Sequence, residues 1–455
     1  MKYYFVGVGG SGMSGIAQVL KARGHEVLGS DRSYDRGLNA TLYNKLKAQG
    51  IQLVRQDGSA MDETIDYIVV STAIDADNPE RVKADTLKLK ILKRAELLAQ
   101  LVNPARSVAI GGTSGKSTTA AMTAWILECA GLDPTVINGG NMIDFLTDTM
   151  IGNAKVGRSA IMCIEADESD GTIELYRPAV GTVTNITRDH KDIPALQGIF
   201  RDFGTKVSET FIVSADCPNC VAAGFEHKNL VRYGIRNHAD VIAKDIRLEP
   251  SGPSFRLDGM EFKLRVPGRH NVENALVAIA AGRAMGVSDA VSRKALSEFR
   301  GVKRRLEYIG EDRGVTVIDD FAHNPEKITA SVEAVRPSAR RLIGVFQPHG
   351  FGPMRHMRAE LVKSCAKEFT GEDTLSMTKI FYAGGHVVMD ISSDQIVEDI
   401  RKAGGNARCI PERPDILKEV TAMARPGDVI LIMGARDDTL TEFCKQILDA
   451  LKARS

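Results

Sequence analysis

The segment Gly111-Gly112-Thr113-Ser114-Gly115-Lys116-Ser117-Thr118 sets a glycine-rich turn and a lysine between two patterned stretches. An apolar run, Ser107–Ile110, precedes it and predicts a strand; Thr118–Cys129 follows and predicts a helix. A helix opening directly after such a turn points unsatisfied backbone N–H groups at one spot, where phosphate oxygens can be surrounded. Lys116 can neutralise β- and γ-phosphate charge, and the Ser117 hydroxyl can ligate Mg²⁺. The strict G-x-x-x-x-G-K-S/T pattern needs glycine at position 110, where Ile110 stands, so the turn is a variant of it. Gly112, Thr113, Ser114, Gly115, Lys116, Ser117 and Thr118 are therefore expected to hold ATP.

A second turn lies nearer the N-terminus. Gly7-Val8-Gly9-Gly10-Ser11-Gly12 satisfies G-x-G-x-x-G after the apolar run Tyr3–Val8 and before a helical stretch, Ser14–Ala22. Glycine there permits a tight turn and close approach of a diphosphate. Asp31 follows the next short strand, Val27–Gly29, where a carboxylate can hold a ribose hydroxyl. NAD, FAD and a UDP-sugar all fit this turn alone. Two phosphate-binding turns about one domain apart argue against a simple dehydrogenase.

The strand–turn–helix rhythm makes the chain α/β. Asn103-Pro104 punctuates it once, and a second change falls near Arg300-Gly301. The expected domains are 1–104, 105–300 and 301–455. Further strands are expected at Ile65–Ser71, Ala160–Ile164, Val180–Asn185, Val315–Asp319, Arg341–Phe346, Lys379–Ala383 and Val429–Met433, a helix at Val272–Gly286, and a small antiparallel element about 238–267.

In the middle region one strand delivers Glu165, with Asp167, Glu168 and Asp170 behind it; the next delivers Asn185 and then Asp189-His190. Such a carboxylate cluster is costly in a core and favourable beside Mg²⁺. Glu165 and His190 are the expected metal-facing pair beside Ser117.

Charge sharpens the choice of partner. There are 59 basic and 58 acidic side chains, a formal charge of +1, which argues against nucleic acid as the main partner. No stretch reads as a membrane span or signal peptide, and 7 cysteines in 455 residues give no disulfide framework, so a cytoplasmic setting is expected. Cys217-Pro218-Asn219-Cys220 has redox-like or metal-like spacing, but no second cysteine pair follows, and its cysteines are expected to be ordinary loop or core residues. Met354 and Met357 are expected to pack, with Gly352-Pro353 speaking against a long helix there.

The order of several strings resembles the Mur ligase superfamily over nearly the full length: GVGGSGMSGIA, VVSTAIDADNPE, GGTSGKSTT, EADESD, VTNITRDHKD, GRHNVENALVA, RRLEYIG, DDFAHNP, FQPH and GDVILIMGA. Within it, the chain is most similar to the branch that joins L-alanine to UDP-N-acetylmuramate. The resemblance implies a Rossmann-like N-terminal domain for the UDP-sugar, a central P-loop ATPase domain and a C-terminal α/β domain for the amino acid. It implies activation of a muramyl carboxylate by ATP to an acyl phosphate, which an amine then attacks. Carried over by motif, Lys116 binds phosphate, Ser117, Glu165 and His190 face Mg²⁺, and Asn271 and Asn274 contact adenine. Arg305, Asp319 and Asp320 close on ATP. Gly9, Gly12, Asp31 and Ser71 are candidates for the UDP-linked acid, and His323, His349 and Arg355 for the amine side.

The chain departs from that branch at particular places. Ser114 stands where histidine is usual and Ser117 where threonine is usual; DDFAHNP is closer to other branches. After His349, Gly350 and Pro353 occupy positions usually held by arginines, and YAGGHVVMDISSD also differs. Arginine forks suit an amino-acid carboxylate; Arg355 or His356 is the expected replacement, with Arg355 the one that carries such a fork. The alternative acceptor is a peptide or another amino acid, joined to the same or a related cell-wall precursor.

Overall fold

A computed structural model describes every residue except 73, 170, 189–190, 250–251, 383–387, 436, 438 and 455. The chain divides into two compact units. One comprises Met1–Ile246, Ser254–Arg265 and His270–Val302; the other comprises Arg247–Pro253, Val266–Arg269 and Lys303–Ser455.

The first unit carries two principal sheets. Its N-terminal sheet has five parallel strands in the order Gln52–Val54, Glu26–Ser30, Lys2–Val6, Tyr67–Val70, Lys90–Lys93. Tyr3 to Val6 are buried on both faces, as a parallel strand covered by helices requires. Strand order reverses at Lys2–Val6 and Tyr67–Val70. The Gly7 turn and Ser71 therefore sit at the carboxyl ends flanking a topological switch point, where α/β sheets bind ligands.

The central sheet has eight strands. Its order is Val241–Ile242, Leu230–Gly234, Thr210–Ser214, Val180–Val183, Arg106–Gly111, Ile161–Glu165, Thr135–Ile137, Ala154–Lys155. Only the last pair is antiparallel among these neighbours. The helix expected after the lysine turn runs Lys116–Cys129, and the later one Arg269–Ala284. The polar stretch expected to be antiparallel forms a separate three-stranded sheet, in which Ser254–Leu257 pairs antiparallel with Met260–Lys263. Phe5, Ile16, Ile137 and Met162 belong to one buried cluster shared by the two principal sheets. Polar bonds reinforce that junction: Gln18 Nε2 donates to Asn153 Oδ1 at 2.9 Å, and Asn153 Nδ2 donates to Ser14 Oγ at 2.8 Å.

The second unit holds six strands, ordered Glu307–Asp312, Val315–Asp320, Asp428–Gly434, Arg341–Gln347, Thr374–Met377, Ala407–Cys409. The first pair is antiparallel and the others parallel. Apolar clusters cover both faces, one around Phe346 and Leu361, the other around Ile432 and Phe443.

Two expectations change here. The strand expected at Lys379–Ala383 is replaced by Thr374–Met377; of the later stretch only Phe381 bridges, to His349, and Ala383 lies outside the described residues. A long helix does run through Gly352-Pro353, from Phe351 to Glu368. Pro353 falls in its first turn, where no intrahelical N–H partner is needed, so the ring is accommodated. Met354 is buried and Met357 packs beside the same core, as expected. Among the described residues no helix is long and apolar enough to cross a membrane.

Candidate active site

Strand register builds the central site. Ile110 pairs with Glu165 on one side, and Gly111 with Val183 on the other. The loop after Gly111, the carboxylate of Glu165 and the Thr184-Asn185 pair thus emerge together at the carboxyl edge of three adjacent strands. Gly112 has φ +121° and Gly115 φ +83°, backbone settings that favour glycine. A Cβ on Gly112 would also overlap the Thr184 hydroxyl.

Asn185 latches this loop. Its carbonyl accepts from Thr113 N at 3.0 Å, and its Oδ1 accepts from Thr113 Oγ1 at 2.7 Å and Ser114 N at 3.0 Å. Its Nδ2 donates to the Ser114 carbonyl at 3.0 Å, and Thr184 Oγ1 donates to the same carbonyl at 2.7 Å. The 14-residue helix beyond has Gly115 at its cap, no side-chain cap and no acidic residue in its first turn. That leaves a positive helix end suited to an anion.

Lys116 leaves this turn and meets Glu168 Oε2 at 2.7 Å, with Asp167 at 3.9 Å. Burial pushes the ammonium towards neutrality, but Glu168, Asp167 and Glu165 outweigh it and hold Lys116 protonated, above its ordinary range. Ser117 is buried, and its carbonyl accepts from Asn138 Nδ2 at 3.1 Å. The next residue, Gly139, donates its N–H to Glu165 Oε2 at 2.8 Å. Ser117 and Glu165 are thereby tied to the same Asn138-Gly139 corner. Thr118 is half-buried in the helix's first turn.

Asn271 and Asn274 come to the same place. Asn274 Nδ2 donates to Asn271 Oδ1 at 2.9 Å, Thr119 Oγ1 donates to Asn274 Oδ1 at 3.1 Å, and the Asn274 amide lies against Gly115. His190 lies outside the described residues. Among the described residues no three His, Cys, Asp or Glu side chains are placed to hold a metal ion by themselves. An oxygen site of one hydroxyl, one carboxylate and phosphate oxygens suits Mg²⁺, which keeps waters and few protein ligands. The uncapped helix, the glycine cradle and the Ser117–Glu165 corner fit a magnesium–nucleotide.

At the N-terminal sheet, Gly9 donates its N–H to Asp31 Oδ2 at 2.9 Å, and Ser33 N donates to Asp31 Oδ1 at 2.8 Å. Asp31 therefore shapes the turn from beneath, a role its sequence position did not disclose. The helix Ser11–Ala22 has no side-chain cap, and Arg94 lies directly against Gly12.

The second unit brings its candidates together around Phe321. The Arg305 guanidinium stacks 5.0 Å from the Phe321 ring centre, and His323 meets His349 edge-on at 5.3 Å. His323 Nδ1 bonds the Phe321 carbonyl at 2.9 Å. Burial, with Lys327 nearby, lowers the His323 pKa to about 4, so the ring is neutral at pH 7. Asp319 and Asp320 are buried. Asp319 pairs with Arg304 at 3.4 Å and accepts from Thr441 Oγ1 at 2.6 Å. Asp320 accepts from Leu306 N, Ala322 N and Ser331 Oγ. Arg355 is exposed and paired to Asp390, with Nε donating at 3.1 Å.

Sequence reading did not single out Asn185, Asn138, Arg94 or the pairing of Glu168 with Lys116. The strings VTNITRDHKD and EADESD contained two of them, but nothing local marks which member turns towards the loop.

Sequence models of three Mur ligase regions match this chain. The Mur ligase family catalytic domain matches residues 2–106, the Mur ligase middle domain 110–282, and the Mur ligase glutamate ligase domain 304–436. The UDP-N-acetylmuramate–L-alanine ligase of Agrobacterium fabrum is 36% identical over 473 residues, covering 99% of this chain and 97% of the relative. Its counterpart from an Anaeromyxobacter species is 37% identical, covering 96% and 95%. Among solved structures, the UDP-N-acetylmuramate–alanine ligase of Thermotoga maritima superposes with a TM-score of 0.81 at 24% identity, covering 100% of this chain and 99% of that one. A murein peptide ligase of Psychrobacter arcticus gives 0.70 at 25%, again covering 100% and 99%. A glycine-rich loop, a Glu165 corner and this family likeness from one end to the other lead to the same place: the chain belongs to the Mur ligase family, with its three-domain α/β architecture.

Proposed function

We propose that this protein is the ATP-dependent ligase that joins UDP-N-acetylmuramate to L-alanine, a step in building the peptidoglycan precursor. The observation that carries the reading is the central corner where Lys116 and Ser117 open a helix beside Glu165. The substrate pair follows the names of the full-length relatives at 36–37% identity.

In this reading residues 1–104 hold the UDP-linked acid, 105–300 hold ATP and 301–455 receive the amine, in the cytoplasm. Gly12, with Arg94 beside it, Gly9 and Ser71 face the diphosphate and sugar; Asp31 holds the turn in shape. Gly112, Thr113, Ser114, Gly115 and Thr118 surround the ATP phosphates. Asn271 and Asn274 complete the nucleotide side, and Arg305, Asp319 and Asp320 belong to the part that meets ATP. Ser117, Glu165 and His190 would hold Mg²⁺, which when bound would supply positive charge to screen the phosphates.

The chemistry needs little from the protein beyond positioning and charge. A carboxylate resists attack until one oxygen becomes a phosphate leaving group. Lys116, held protonated, sits where phosphoryl charge develops. The carboxylate oxygen bonds the γ-phosphorus as ADP leaves; the amine then bonds the carbonyl carbon as phosphate leaves, and the amine's proton passes to a base or to solvent. The amine must be neutral to attack, and His323 with a pKa of about 4 is too weak a base to deprotonate an ammonium. His323 then orients through hydrogen bonding, with His349 beside it, and Arg355 is the anchor for the amino-acid carboxylate.

The test supplies UDP-N-acetylmuramate, ATP and Mg²⁺ and compares L-alanine, glycine, L-serine and short peptides by product mass. An alanyl product formed in preference to the others is expected. Exclusive use of a peptide would replace alanine as the acceptor, and no amide with any amine would reject the acid substrate.

A further inference from the structure

We propose that Cys217 and Cys220 form a reversible dithiol–disulfide pair that controls the Asn185 latch on the phosphate loop. The Cys-Pro-Asn-Cys run folds so that Cys217 caps the short helix Pro218–Ala222 and Cys220 lies one turn on. From the radius and rise of a helix, the Cα atoms of an N-cap residue and the third helical residue stand roughly 5 Å apart, within the roughly 4.4–6.8 Å Cα separation that a disulfide spans. The two thiols interact directly, and neither is bonded to another cysteine.

Their exposure and acidity divide the labour. Cys217 is half-buried, whereas Cys220 is 2% exposed. Cys220 and backbone donors stabilise the Cys217 thiolate, lowering its pKa to about 5, while Cys217 and burial push Cys220 up. Cys217 is then the attacking sulfur and Cys220 the resolving one.

The pair is wired to the nucleotide loop through one residue. Ile186 N donates to Cys217 Sγ at 3.4 Å, and Asn219 Nδ2 donates to the Ile186 carbonyl at 2.8 Å. Ile186 adjoins Asn185, which holds Thr113 and Ser114. Ser214 Oγ fixes the other side, accepting from Cys217 N at 3.1 Å. Drawing Cys217 Sγ onto Cys220 takes a thiolate acceptor away from Ile186 and leaves a much weaker one.

The co-reactant is a low-molecular-weight disulfide, RSSR. The Cys217 thiolate bonds one sulfur of RSSR and expels RS⁻. Cys220 loses its proton, its sulfur bonds Cys217 Sγ, and a second RS⁻ departs. The protein loses two electrons and two protons, and RSSR gains them as two RSH. Dithiothreitol runs the sequence backwards.

The disulfide itself is independent of the proposed ligase activity; its effect on nucleotide rests on the phosphate-loop reading. The full-length protein is equilibrated with oxidised glutathione, or with dithiothreitol, and examined in three ways. Peptide mass mapping should find a Cys217–Cys220 disulfide, and its absence in excess oxidant overturns the proposal. Amide exchange at Ile186 should speed up on oxidation and recover on reduction; unchanged exchange removes the link to the latch. Affinity for a non-hydrolysable ATP analogue should fall about tenfold, the loss of roughly one hydrogen bond to a charged group. Equal affinity in both states overturns control of the loop. Failure of the reduced protein to bind the analogue refutes the phosphate-loop reading instead, and the mapping and exchange results still judge the pair. Cys220→Ser should keep the reduced protein's affinity and trap glutathione on Cys217; glutathione elsewhere overturns the assignment of the attacking sulfur.

Discussion

Lys116 Nζ lies 2.7 Å from Glu168 Oε2, and both side chains are largely withdrawn from water. In this pairing the carboxylate occupies the place beside the lysine that a phosphate oxygen takes in the proposed reaction. Phosphate and Glu168 therefore compete for one buried cation.

That competition gives the first prediction. Glu168→Gln leaves Lys116 with the more distant Asp167 and Glu165, and breaking a buried pair costs about 3 kcal/mol. The loss should appear in urea unfolding without nucleotide and shrink when an ATP analogue supplies the missing charge. An equal loss with and without the analogue would show that the two do not compete.

Lys116→Ala should lower ADP release at least about 100-fold, the scale of losing one donor to a charged transition state. Calorimetry with a UDP-muramyl ligand should find the N-terminal site intact. A folded variant with near-normal ADP release would remove Lys116 from phosphate binding.

Glu165→Gln keeps an oxygen for the Gly139 N–H and removes only charge. Turnover should drop at limiting Mg²⁺ and partly recover in excess, with the Mg²⁺ needed for half-maximal rate raised at least about tenfold. An unaltered Mg²⁺ requirement would place the metal elsewhere.

Gly112→Ala should weaken nucleotide binding and stability together, because its φ of +121° and the Thr184 hydroxyl both exclude a Cβ. Gly131→Ala is the control: its φ is +74°, but nothing lies within 4 Å of an added Cβ. Similar losses of nucleotide affinity in both would show that backbone strain, not the Thr184 contact, governs the loop.

His323 makes stability depend on pH with a definite sign. An unfolded imidazole titrates near 6.5, and the folded one near 4. Between those values the unfolded chain binds a proton that the folded chain does not, so stability falls as pH drops through this window. The shift is worth up to about 3 kcal/mol once pH is below both values. Asp319 and Asp320, whose carboxyls burial pushes up, act in the opposite direction. Comparing unfolding of wild type and His323→Gln at pH 7 and pH 5 isolates the histidine. The variant should lose less stability on acidification; parallel losses would mean that His323 titrates normally.

The sequence by itself determined the elements whose cause is local. Glycines after apolar runs specify tight strand-to-helix turns, so Gly7–Gly12 and Gly111–Thr118 were legible, as were the strands that deliver Glu165 and Asn185. Pro353 misled because position within a helix, not its presence, decides its cost; as the third residue of the helix it loses no bond. Tertiary structure alone decided which side chains meet. Parallel register set Ile110 beside Glu165 and Gly111 beside Val183, and only that alignment brings Asn185 onto Thr113 across 72 positions. It also turned Asp31 under Gly9, gave Lys116 its partner Glu168, and joined Cys217 to Ile186. A local pattern fixes backbone shape, whereas the pairing of buried polar groups depends on how distant strands align. Each such group must find a partner in the core, and the chain's local sequence does not say which.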